Sequence, residues 1–204
     1  MNDFSKLMLS DEEQQLVNNS RWILTKRVII GKANALLGEL SEKQKAVIQQ
    51  KKDFLPAAVV QSDAKISKGE NYQQLPFLIL DYPRCFDAKN IFAIRTMFWW
   101  GNFFSVTLHL AGAHKENYEQ VLIDRIDKLK QGSYYLCVHE SQWHHHFEDD
   151  NYINTNQLNN KEAEDIIRQK QFIKLSVKFP LQQWKEMPLL LEKSFTGIIE
   201  LLKD

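Results

Sequence analysis

The segment from Ile91 to Gly112, IFAIRTMFWWGNFFSVTLHLAG, constrains the fold more than any other stretch. Two runs rich in β-branched and aromatic residues flank Gly101-Asn102, a dipeptide suited to a tight turn, so the segment reads as a β-hairpin. A two-residue loop sets Trp100 opposite Phe103, Phe98 opposite Ser105, Thr96 opposite Thr107 and Ile94 opposite His109. Strand side chains alternate between faces. This register therefore gathers Phe98, Trp100, Ser105, Thr107 and His109 on one mixed face suited to a ligand cleft. The other face carries Arg95, Met97 and Trp99 with Phe104, Val106 and Leu108. It is apolar except for Arg95 and is expected to pack on helices. A slip of one residue would exchange these assignments.

The rest of the chain supplies partners for that hairpin. Ser10-Asp11-Glu12-Glu13 is a capping box that opens a long helix. Val17, Leu24, Val28 and Ala35 recur on one stripe of it, with Leu16, Ile23, Ile30 and Leu37 alongside. Gly38 is placed to end that helix, and Ser41 to Gln44 is placed to cap a second one reaching about Lys52. Residues 10–52 thus read as an αα-hairpin. Residues 61–74 are polar and read as a loop. Leu75 to Asp81 is a continuous apolar run, closed by Tyr82-Pro83, as in a buried strand. A helix is expected from Lys115 to Lys130, a strand from Ser133 to Glu140, and a long polar loop from Gln142 to Asn160. Asn160 reads as the cap of a short helix. Phe172 to Phe179 alternates as a half-exposed strand. Pro188 opens a final helix with a stripe of Leu191, Phe195, Ile198 and Leu202.

The order predicts an α+β fold: a mainly antiparallel sheet of about five strands with helices packed on one face, preceded by an N-terminal αα-hairpin. One domain, 1–204, is expected, with the helical hairpin at 10–52 and a strand-rich core at 75–204. The connection from the third to the fourth strand is long enough for a crossover, which would allow one parallel pair.

Composition narrows the functional classes. Twenty-six basic and 26 acidic residues give no net charge, which argues against general binding to nucleic acid or anionic membrane. No basic stripe accompanies the aromatics, so RNA stacking is disfavoured as well. No apolar run is long enough to span a bilayer. Met1 to Leu7 lacks the basic and apolar regions of a secretory signal, and a cytoplasmic location is the expectation. Cys85 and Cys137 both lie in apolar surroundings and read as free buried thiols.

The chemistry-bearing residues fall in four groups. His144 and His146 would share one face of an extended segment and, with His139 or nearby acids, chelate a transition metal. His109 and His139 lie on expected strands and would serve as a general base or ligands if those strands are neighbours. Asp81 and Arg84 follow a buried strand, where they would form an ion pair or hold an anionic ligand. Arg95, inside an apolar strand, needs a carboxylate or a ligand, because burying it alone is costly. Cys137 and His139 share a strand face, but residues two apart are too distant for a routine side-chain hydrogen bond. Walker A, G-x-G-x-x-G and G-x-S-x-G patterns are absent.

The leading expectation is a small molecule or peptide bound on the aromatic and polar sheet face, at Phe98, Trp100, Ser105, Thr107 and His109, with Asp81, Arg84 and Arg95 nearby and the 142–160 loop closing the cleft. One alternative is a metal-dependent enzyme using His139, His144 and His146. The other is a non-catalytic protein that contacts a partner, or a second copy of itself, through its N-terminal helices.

Overall fold

The two runs of the hairpin segment become adjacent strands in a computed structural model of the protein, which describes residues 7–203. The described residues form an α+β fold with a seven-stranded sheet in the order β1-β2-β3-β4-β7-β5-β6. The strands are β1 (Lys65–Tyr72), β2 (Leu75–Phe86), β3 (Ile91–Trp99), β4 (Phe103–Ala111), β5 (Tyr135–Cys137), β6 (Tyr152–Asn154) and β7 (Phe172–Pro180). Every pairing is antiparallel, so the allowance for a parallel pair falls away. After β4 the chain leaves through helices and returns as β5 and β6. The last strand, β7, then inserts between β4 and β5.

The helices are α1 (Asp11–Asn18), α2 (Ser20–Gln50), α3 (Ala57–Val60), α4 (Ala113–Ile123), α5 (Ile126–Gln131), α6 (Asn160–Gln169) and α7 (Met187–Leu201). They cover one face of the sheet. Phe92, Ile94 and Phe98 of β3, with Phe104, Val106, Leu108 and Leu110 of β4, bury their side chains against Ala33, Leu37, Leu40 and Ile48 of α2 and Leu191, Phe195 and Ile198 of α7. Each such aliphatic or aromatic side chain contributes roughly 1.5–3 kcal/mol on leaving water.

The sheet has seven strands where about five were expected, the helix expected over 115–130 is divided into α4 and α5, and three further expectations change. The two N-terminal helices divide elsewhere than expected, into the short α1 and the long α2. Gly38 lies inside α2, and Ser41 does not cap a second helix, because its hydroxyl donates back to the Gly38 carbonyl at 2.9 Å. Packing of Leu37, Leu40 and Ile48 against the sheet carries the helix through a glycine that costs only about 1 kcal/mol. The helix break comes earlier, at Asn19, whose side chain accepts the Trp22 amide. The capping box of Ser10 and Glu13 stands at α1 as read. Asn159, one residue before the expected Asn160, caps α6 with Glu162.

The second change is a strand where residues 61–74 read as loop. β1 joins β2 through Gln73-Gln74, both at positive φ, with Tyr72 paired to Leu75. Gly69 lets the Phe77 ring cross β1, since a Cβ there would lie 2.4 Å from that ring. The third change is the hairpin register. Trp99 pairs with Phe103 and Phe98 with Phe104, so the loop is Trp100-Gly101-Asn102. A two-residue type I′ turn needs positive φ at both central positions, and among these residues only Gly101 (φ +75°) has it. The slip turns β4 over relative to β3.

The targeting expectation for Met1 to Leu7 rests mainly on residues 1–6, which lie outside the described residues. Among those described, no helix is long and apolar enough to cross a membrane.

Candidate functional site

The observed register places polar side chains in rows on the face away from the helices. One row runs Asp81, Arg95, Thr107, Ser176 and Tyr135 across β2, β3, β4, β7 and β5. The next joins Ala93, His109 and Lys174. Arg95 meets its need for a carboxylate directly across the strands. Its Nε and Nη2 donate to the two Asp81 oxygens at 2.8 and 2.9 Å. The expected pairing of Asp81 with Arg84 does not form. The bulge between Asp81 and Arg84 leaves Arg84 exposed, with its amide donating to Ser62. Thr107 and Ser176 share a hydrogen bond of 2.7 Å.

Residues 138–151 lie over these rows. Tyr72, at the end of β1, fastens them. Its hydroxyl accepts the amides of His145 (2.7 Å) and His146 (3.0 Å), and its own proton has His146 Nδ1 at 3.2 Å. That arrangement leaves His146 Nε2 to donate to Asp150 at 3.2 Å. Asn151 is buried, donates to the His146 carbonyl and meets the Cys137 thiol. Phe147 stacks on Tyr152 at 4.5 Å and packs edge-on to Phe103 and Tyr135.

Burial sets the electrostatics. His145 Nε2 accepts from Arg95 Nη1 at 3.1 Å. Burial first, then the Arg95 charge, pushes the imidazole down to about 2. His109 is also pushed down by burial, to about 3, against the opposing effect of its 2.8 Å hydrogen bond with Gln142 Oε1. Both imidazoles are neutral at pH 7. Lys174 is 3% exposed and is lowered by burial to about 8. Its ammonium donates to the His144 carbonyl and lies 5.3 Å from the centre of the Tyr152 ring. Among the described residues it has no carboxylate partner. Burial also raises the Cys137 thiol and raises the Tyr152 phenol well above its ordinary value, so neither is activated as a nucleophile.

The expected site residues divide between the faces. Thr107, His109 and Ser105 share the polar face with Arg95 and Asp81. Phe98 lies on the helix face, with its ring 5.1 Å from Phe104 and 5.7 Å from Trp184. Trp100 is in the turn, half-buried against Phe98 and near Trp22 of α2. The anticipated cleft is thus split, because the register slip exchanges the partners of Phe98. The His139 and His144 rings lie 4.1 Å apart, tilted by 45°, and those of His144 and His146 lie 5.3 Å apart. Both His146 nitrogens are engaged, and His139 Nδ1 accepts the Ser141 amide. Among the described residues, no group of three or more His, Cys, Asp or Glu is arranged to hold a metal ion. Both cysteines are free, Cys137 buried and Cys85 partly exposed.

Tyr72, His145, Lys174, Gln142 and Tyr152 complete this layer and were not singled out by the sequence. Lys174, Ser176 and Lys178 alternate with apolar residues, which reads as a wet strand face unless something covers it.

Beside Lys174, the space bounded by Leu136, Cys137, Ile166 and Phe172 has no room for a water. An open recess of about 470 Å³ adjoins the layer. Gln142 and Phe172 form its wall, with Lys89, Lys115, Arg168 and Lys170 around it and Glu116 as its one acidic residue. Gln142 therefore stands between the recess and His109. Comparisons with protein-family models, with curated proteins and with solved structures give no match to this chain.

Proposed function

We propose that the protein binds a small molecule carrying an anionic group at the polar face of the sheet, entered from the recess beside Gln142. The observation that carries this reading is a charge imbalance. Arg95 and Lys174 lie close under the covering segment, and Asp81, already held by Arg95, is the buried carboxylate there. A carboxylate or phosphate would supply the partner that Lys174 lacks. The recess adds less, because among the described residues only one of its four cationic side chains is left without a carboxylate. Glu119, Glu140 and Glu164 hold three of those cations in place, while Lys89 has no ion-pair partner among the described residues. Neutral His109 and His145 add hydrogen-bonding groups without adding charge. Turning Gln142 away would join the recess to His109 and Lys174.

The test is a titration with inorganic phosphate and with small mono- and dicarboxylates. It is followed by thermal unfolding and by the fluorescence of Trp143, which packs 5.7 Å from His109. Saturable stabilisation is expected, about 2.7 kcal/mol when the free ligand reaches 100 times its Kd. Lys174→Met should abolish it. A response that never saturates, or that is equal in Lys174→Met, would be a general salt effect and would end this reading.

One observation favours a second reading, a transition metal at the histidine segment. His144 Nδ1 is buried without a hydrogen-bond partner beside the His139 ring. Elemental analysis of untagged protein decides it: stoichiometric metal lost in His144→Ala supports it, and metal-free protein removes it.

A further inference from the structure

α2 presents two opposite faces, and only one of them is covered. Ala33, Leu37, Leu40, Gln44 and Ile48 face the protein body. At about 100° per residue, Leu24, Val28, Gly31, Ala35, Gly38 and Glu42 form a straight stripe on the far side. Their spacing alternates between four and three residues, the repeat of a helix that packs on another helix. Leu24 is 55% and Val28 57% exposed. A Cβ placed on Gly31 or Gly38 would meet nothing within 4 Å, so the space beyond the small residues is open.

We propose that this face is an interface with a second copy of the chain, the two α2 helices packing antiparallel with Leu24 over the partner's Ala35 and Val28 over the partner's Gly31. Volume and charge both select this arrangement. Each large side chain meets a small one, and the symmetry repeats both pairs. The small residues let the axes approach to the lower end of the usual 8–10 Å range. Arg21 then lies over the partner's Gly38, beside the acidic Glu39 and Glu42 of that helix. Along the seam edges, Arg27 faces Asn34 and Lys32 faces Thr25. A parallel pair would do the reverse. It would stack Arg21 on Arg21 and Glu42 on Glu42, set Arg27 against Lys32, and leave gaps where glycine faces glycine. Like charges in such positions are destabilising. The seam from Arg21 to Glu42 runs roughly 30 Å at ~1.5 Å per residue.

The experiment is sedimentation equilibrium of the full chain at about 100 µM, a concentration that populates even a weak dimer. It is run beside Leu24→Glu and Val28→Glu, whose folding is checked by circular dichroism. A dimer is expected for the natural sequence, with at least a tenfold weaker association in both variants. A monomer at that concentration, or a dimer unaffected by either variant, would overturn the proposal. Orientation is read by oxidation of Leu24→Cys and Ala35→Cys chains. A mixture of the two should give the mixed disulfide, with each variant alone remaining unlinked. Efficient linking of Ala35→Cys to itself would mean a parallel pair and would overturn the proposed geometry.

Discussion

The two faces of the sheet are built from the same strands by opposite means. On the helix side, Phe92, Ile94, Phe98, Phe104, Val106 and Leu108 are buried by packing alone. On the other side, Asp81, Arg95, Thr107, His109, Lys174 and Ser176 lie under a segment with little regular structure, held by side-chain hydrogen bonds. Apolar burial is non-directional and tolerates adjustment. The polar layer works only when each donor meets its acceptor, and a partly satisfied layer is costly. The first face supplies the bulk of the stability. The second holds charge where little water reaches, which is where pairing with an anion would gain most.

The largest expected effect tests the apolar face. Phe98→Ala removes a ring packed on Phe104 and Trp184 and should cost roughly 3–5 kcal/mol in a denaturant titration. Asp81→Ala should cost roughly 2–4 kcal/mol, somewhat below a fully buried pair because the Arg95 side chain is 19% exposed. The contrast sharpens in the double variant Asp81→Leu with Arg95→Met. It should recover most of that loss, whereas no second substitution of similar kind rescues Phe98→Ala.

Acid should separate the faces next. His109 and His145 are held near 3 and 2, below the ordinary 6.5 of an unfolded histidine. From pH 6.5 down to about 3, the unfolded chain therefore binds more protons. Stability falls with pH there by about 1.4 kcal/mol per unit for each histidine. His145→Gln should flatten that slope, and Phe98→Leu should leave it unchanged; equal slopes in all three proteins would refute the assignment. The smallest effect is expected from Tyr72→Phe. Losing the hydroxyl that holds two amides should cost about 1–2 kcal/mol. It should also speed hydrogen exchange in residues 138–151 while leaving β3 and β4 protected.

What the sequence disclosed follows the same division. β-branched and aromatic runs around a turn dipeptide located β3 and β4, alternation located β7, and the stripe of Leu191, Phe195 and Ile198 located α7, because each pattern is local. Arg95 announced its need for a carboxylate by lying in an apolar strand. The partner was Asp81 across the sheet instead of a neighbour in sequence, and no local rule reaches that far. β1 was invisible since KISKGENY is polar and its turn, Gln73-Gln74, uses residues that do not signal positive φ. The hairpin register depended on one glycine torsion. The covering of Lys174 and His109 depended on Tyr72, which lies 73 residues from His145.

The late insertion of β7 has a consequence for synthesis. The chain emerges from its N-terminus at about 5–20 residues per second. β4 is complete long before Phe172–Pro180 appears, and the pairing of Ala111 with Phe172 through Phe103 with Pro180 cannot form until then. In that interval β4 is a temporary outer strand carrying apolar side chains on an open edge, the situation that invites association between nascent chains. The final strand therefore acts as a closing key: its arrival satisfies β4 on one side, gives the short β5 and β6 pair a neighbour on the other, and ends the period of greatest exposure.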